Sequence, residues 1–166
     1  MRNAEVADVL EKAADLYESE QIEWCQGSWQ KERTRIVNET GESIAAYVQD
    51  GEGQLGLPDV KLKVERVISM CASGALARAV GIPVVWAQEI EGFEFRTLGT
   101  DERRFLYSLA REAVLKKLRG ESTNPFRPGD PYLTNNIPQW NDSKARSKQE
   151  VIDVFKETAK DLRNAQ

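Results

Sequence analysis

Residues 64–81 read VERVISMCASGALARAVG, and the rest of the chain arranges itself around them. The apolar residues Val64, Val67, Ile68, Cys71, Ala72, Ala75, Leu76 and Ala79 recur at i, i+3, i+4 and i+7 through two repeats. That spacing predicts one continuous apolar stripe on one α-helix. Gly81 suits the left-handed position past a helix end, and Pro83 cannot extend the ladder, so the helix is expected to stop there. Cys71, Gly74, Ala75 and Ala79 are small enough for neighbours to approach the backbone closely. The stretch is expected to be the central core helix, with Cys71 a buried small hydrophobe.

Toward the C-terminus, Ile82 to Ile90 looks like a short strand, with Gly92-Phe93-Glu94-Phe95-Arg96 pairing to it as a small hairpin. Thr100 is placed to cap a helix over 101–119. Asp101 and Glu102 sit in its first turn, Lys116, Lys117 and Arg119 in its last, and Gly120 stands just beyond. Phe105, Leu106, Leu109, Ala110, Ala113 and Leu118 are its expected buried face. Residues 121–146 are rich in proline and asparagine and show no periodicity. The embedded Phe126, Tyr132, Leu133, Ile137 and Trp140 favour a long ordered loop pinned to the body. Ser147-x-x-Glu150 is a capping box that opens a last helix running to about Asn164.

Toward the N-terminus, residues 4–20 form an amphipathic helix with Val6, Val9, Leu10, Ala13, Leu16 and Tyr17 on one face and Asn3 as its N-cap. Trp24 and Trp29 then bracket a glycine turn. Residues 31–59 are polar and read as irregular, apart from a short strand at Ile44 to Val48. Gly51-x-Gly53-x-x-Gly56 spells the dinucleotide fingerprint, but Leu57-Pro58-Asp59 stands where a helix must open, so a Gly-rich loop is the better reading. The expected architecture is mainly α: a compact four-helix single domain with a minor β hairpin and the long Pro/Asn-rich loop.

Composition excludes several function classes. The chain has 166 residues, net charge −4 and no histidine. Acids and bases are interspersed, which argues against general nucleic-acid binding. No apolar run approaches the roughly 18 residues of a membrane span, and the N-terminus is polar with no leader pattern, so a cytoplasmic location is expected. Without histidine, Ser–His–Asp and Cys–His catalysis are closed to this chain. Cys25 and Cys71 are two ligand candidates where a structural zinc needs four, so neither a metal nor a cofactor is expected.

Three stretches, in order, resemble a family of small domains of unknown function found in actinobacteria and bacteriophages. They are Trp24-Cys25-Gln26-Gly27-Ser28-Trp29, the run from Cys71 to Ala79, and Trp140-Asn141-Asp142 followed by Arg146, Ser147 and Glu150-Val151. The resemblance implies a compact helical intracellular or phage-encoded protein and carries no established activity or catalytic residue.

Two readings of function follow. The first is a non-enzymatic accessory protein that binds a small polar, nucleotide-like ligand or a host protein, with a homo-oligomer compatible. Its site is placed where the first and third motifs meet, at Gln26, Trp29, Trp140, Asn141, Asp142 and Arg146: an aromatic face, amides that donate and accept, a carboxylate and a planar cation. The second is a small hydrolase-type enzyme using Cys25 or carboxylates such as Asp142 with Asp130 or Glu23, with magnesium as its metal. It requires those groups to share a cleft with displaced pKa values.

Overall fold

A computed structural model describes residues 2–42, 63–92, 101–121, 137–143 and 146–165. In chain order the elements are α1 (Asn3–Glu18), β1 (Glu23–Trp24), β2 (Gln30–Val37), β3 (Lys63–Met70), α2 (Ala72–Val80), α3 (Val84–Gly92), α4 (Glu102–Glu121), α5 (Ile137–Asn141) and α6 (Lys148–Asn164). The fold is mainly helical with a small sheet, as expected, but the described residues form six helices and not four.

The defining stretch is not one helix. Residues 63–70 are strand, Cys71 is extended at φ −74° and ψ 175°, and only 72–80 coil. The helical spacing of Val64, Val67 and Ile68 is real, but these residues are β-branched and favour a pleated strand when a partner exists. The partner is β2, antiparallel from Gln30↔Met70 to Val37↔Lys63. β2 lies within the segment read as irregular. It carries polar residues on both faces, six of them exposed, and so lacks the alternation that marks a half-buried strand. β1 adds to the other side of β3, in parallel, at Glu23↔Ser69 and Trp24↔Met70 only. The sheet order is therefore β1-β3-β2.

The α2 half of the stretch does take the central place. It touches α1, α3, α4, α5 and β3. Ala72, Ser73, Gly74, Ala75, Leu76, Ala77 and Ala79 are all buried along it, and Cys71 just before it is buried as well. Gly81 ends it in the left-handed region, φ 85°, with its N–H on the carbonyls of Ala77 and Arg78. Gly74 has a separate task, because a Cβ there would collide with the Trp29 carbonyl oxygen. The turn before β2 can lie against α2 only because that side chain is missing.

Pro83 opens a helix, α3, where Ile82 to Ile90 was expected to be a strand. Its carbonyl accepts from the N–H groups of Trp86 and Ala87, and its own missing N–H costs nothing at a helix start. Ile82 and Ala87 are buried, with Trp86 and Ile90 packed on the core, which is helical and not alternating spacing. Gly92 ends this helix; the hairpin partner at 93–96 lies outside the described residues, as do the strand at 44–48, the glycine loop at 51–56, Thr100, and 122–136 and 144–145 of the long loop. Within that loop 137–141 is helical.

α1 lies along α6, and every residue assigned to its inner face is buried. Its N-cap is Arg2, with no side-chain cap bond, and Asn3 is already helical. α6 opens with the full capping box: Ser147 Oγ accepts from the Glu150 N–H, and the Glu150 carboxylate accepts from the Ser147 N–H. Of the face expected for α4, Ala110 and Leu118 are buried and Leu106, Leu109 and Ala113 pack half-buried on the core, but Phe105 is 43% exposed. Tyr107, Val114 and Leu115 are buried as well, and Gly120 lies inside the helix. No helix among the described residues is long and apolar enough to cross a membrane.

Candidate functional site

The first and third motifs meet at Asn141. This residue is fully buried at the end of α5, and each atom of its amide is used. Its Oδ1 accepts from the Trp24 indole N–H at 2.8 Å and from the Ala72 N–H, the first residue of α2, at 3.0 Å. Its Nδ2 donates to the Cys25 carbonyl and to Asp142 Oδ1, both at 3.0 Å. Gln26 Nε2 donates to the carbonyls of Asn141 and Ser143 at 2.8 and 2.9 Å. Asp142 Oδ1 also accepts from the Gly27 N–H at 2.9 Å, a bond the left-handed Gly27, φ 70°, is turned to make. Arg146 lies over the buried Trp140 ring, 4.5 Å from its centre, and donates to the Trp140 carbonyl. Trp29 is half-buried and contributes its backbone, with its carbonyl accepting from the Cys71 N–H.

Gln26, Trp140, Asn141, Asp142 and Arg146 thus come together, with Trp29 beside them. Their polar groups bond one another, the Trp24 indole, and backbone groups of Cys25, Gly27, α2 and α5. Asp130 lies outside the described residues. Glu23 faces away from this knot and holds Arg33 through both carboxylate oxygens, at 3.0 and 2.9 Å.

Neither thiol is disposed toward the thiolate form. Burial raises the Cys25 pKa; Lys31 opposes the shift and Asp142 adds to it, and the Sγ donates to the Ser28 carbonyl. Burial pushes Cys71 up to about 11. Among the described residues no three Cys, Asp or Glu side chains are grouped to hold a metal.

Two features were not anticipated. One is a buried carboxylate. Glu91 is 4% exposed and takes hydrogen bonds from Arg111 Nε at 2.7 Å, Ser73 Oγ at 3.3 Å and the Tyr107 hydroxyl at 3.4 Å. Burial raises its pKa, and Arg111 is the main opposing influence. The misassigned strand at 82–90 hid this residue; on a helix, Glu91 falls one position past Ile90, on the face toward α2 and α4.

The other is an open groove of about 590 Å³ beside the sheet. Residues 65–68 of β3 form one side and residues 20–24, the corner from α1 into β1, form the other, with Arg35 and Lys148 at the margins. It exists because β1 pairs with β3 over two residues only and the chain before it turns away into α1. Most of its charges are matched: Arg35 with Glu65, Arg33 with Glu23, and Arg66 with Glu32. Among the described residues Glu20 and Lys148 have no such partner. No sequence signal short of the β2–β3 register could have placed this groove.

No curated protein and no solved structure gives a match to the chain. Residues 1–161 match the model of a family of unknown function, DUF6197, and the chain belongs to that family.

Proposed function

We propose that this protein acts by binding and not by turnover, and that what it binds is another protein, seated in the groove between β3 and the α1–β1 corner. The observation that carries this reading is the groove itself, an open cleft bordered by a strand edge that β1 leaves uncovered beyond Ser69. Ligands bind preferentially in concave clefts, and a strand edge offers main-chain groups that a polypeptide can match. The knot at Asn141 has a supporting part in this proposal, since it ties β1 to α2 and α5 and so fixes one wall of the cleft.

The small-ligand reading at Gln26, Trp29, Trp140, Asn141, Asp142 and Arg146 has a cost to meet. A nucleotide-like molecule there would have to replace bonds already made, and a buried polar group left without its partner loses about 1–3 kcal/mol. The enzyme reading through Cys25 runs against a thiol pKa raised by burial, the opposite of what a nucleophile needs.

The test is site-specific photocrosslinking in cells. A photoreactive side chain at Gln21, in the groove wall, should give a discrete adduct with one protein, and the same group at Lys12, outside the groove, should not. Equal labelling from both positions, or none from Gln21, would remove the reading.

A further inference from the structure

We infer that the groove receives an extended segment of a second protein, which adds as a strand to the edge of β3 that no described strand covers. The inference rests on the protein-binding reading above and names the mode of contact.

The backbone parity of β3 is fixed by two bonds. The Met70 carbonyl accepts from Cys25, on the β1 side, and the Cys71 N–H donates to Trp29, on the β2 side. In a strand the N–H and C=O of one residue point the same way and neighbours alternate. Counting back from Met70, Ile68, Arg66 and Val64 direct their backbone groups toward the β1 side, while Ser69, Val67, Glu65 and Lys63 serve β2. β1 reaches only Ser69 and Met70. Among the described residues no strand meets Arg66 or Val64 on that side, and the groove opens along residues 65–68.

The outer edge of β2 is a poorer acceptor. That strand is exposed and rich in charge from Gln30 to Arg35, and charged residues of this kind are how sheet edges are kept from pairing. The β3 edge instead has a wall opposite it, so an added strand would be shielded on both sides. Charge at the margins defines the occupant further. With the other ion pairs closed, Glu20 and Lys148 are the groove charges left to answer among the described residues, so the segment should carry a cation and a carboxylate.

The experiment selects linear twelve-residue peptides from a displayed library against the full chain and measures the binders on three variants. Lys148→Glu reverses a margin charge and reports use of the groove. Arg66→Pro deletes the N–H that faces the groove and leaves the bonds to β2 in place, a substitution strand edges accept. Arg66→Ala removes the side chain alone. Strand addition predicts at least a tenfold loss with Arg66→Pro, and less than about threefold with Arg66→Ala, at an unchanged melting temperature.

Hydrogen exchange on the unsubstituted chain covers the case of a proline variant that does not fold. The Arg66 amide should exchange freely alone and at least tenfold more slowly with peptide bound. Peptides that weaken with Lys148→Glu but ignore Arg66→Pro would overturn the strand mode and leave the groove as a protein site. A library with no binder sensitive to Lys148→Glu would overturn both. An Arg66 amide already protected in the isolated monomer, or protected only as the chain dimerises, would assign the edge to this chain's own residues or to a second copy and overturn the inference.

Discussion

The indole N–H of Trp24 donates to Oδ1 of Asn141 at 2.8 Å across 117 positions of sequence. The same oxygen takes the first N–H of α2, and the amide nitrogen beside it holds the Cys25 carbonyl. One side chain thus joins β1, α2 and α5 at a point no apolar contact could specify, since each partner fixes a direction as well as a distance. Asn141→Ala would leave two donors and a carbonyl without partners, at about 1–3 kcal/mol each where water does not replace them. A loss of about 3 kcal/mol or more is expected in denaturant unfolding. Trp24→Phe should cost about 1 kcal/mol, and the double variant less than the sum, because both remove the same bond. Unchanged stability in Asn141→Ala would free this residue for a ligand and revive the small-molecule reading.

Gly74 offers a reversal of sign. In an exposed helix, Gly→Ala stabilises by about 1 kcal/mol. At Gly74 the new methyl would meet the Trp29 carbonyl oxygen and, at 3.2 Å, the Met70 Cβ. Backbone must give way, so Gly74→Ala should destabilise by about 2 kcal/mol. Gly120, in α4 with nothing within 4 Å of a built Cβ, is the internal control and should gain ~0.5–1 kcal/mol as alanine. Thermal melts of the two variants moving in opposite directions are the expected result; two gains would place the β2 turn farther from α2.

What could be read in advance divides along physical lines. α1 and α6 have long, regular apolar periods, and the Ser147–Glu150 box is local chemistry, so their existence and the start of α6 were legible. The 64–70 stretch was not. Val64, Val67 and Ile68 satisfy helical spacing, and only the distant β2 decides in favour of a strand. β2 in turn owes its place to register with β3, with cross-strand ion pairs such as Arg35–Glu65, and not to any pattern of its own. Ile82 to Ile90 misled because Pro83, which does follow the end of α2, also opens the next helix. That the Trp24 and Trp140 motifs meet was legible; that their polar groups bond chiefly to each other was not, because it depends on side-chain directions set by the fold.

Glu20 sits at φ 58°, the only non-glycine with positive φ among the described residues, just past the end of α1. A left-handed turn there lets the Ile22 N–H reach back to the Leu16 carbonyl and closes the helix end. Glycine takes this conformation without the roughly 1–2 kcal/mol that an L side chain pays, though it adds freedom to the unfolded chain. Glu20→Gly should therefore stabilise by a net ~0.5–1 kcal/mol. The same change removes one of the two unmatched charges of the groove, so groove binding should weaken while the melting temperature rises. Movement of both quantities in the same direction would separate Glu20 from the groove.

Glu91 makes stability depend on pH in a direction that can be worked out. Burial raises its folded-state pKa, with Arg111 opposing. As pH falls through the ordinary carboxylate range and just above it, the folded chain takes up this proton before the unfolded chain does. More protons bound by the native state means that stability from this group rises as pH falls. Most acids with salt-bridge partners behave oppositely, Glu11 among them, since its hydrogen bond from Arg163 lowers its pKa. Glu91→Gln keeps the shape and an acceptor for Ser73 and Tyr107 but cannot titrate. The stability of the native chain minus that of Glu91→Gln should therefore be larger at pH 4 than at pH 7, measured by urea unfolding at each pH. A difference that shrinks on acidification would mean that the Arg111 ion pair outweighs burial and that Glu91 is ionised more readily in the fold than out of it.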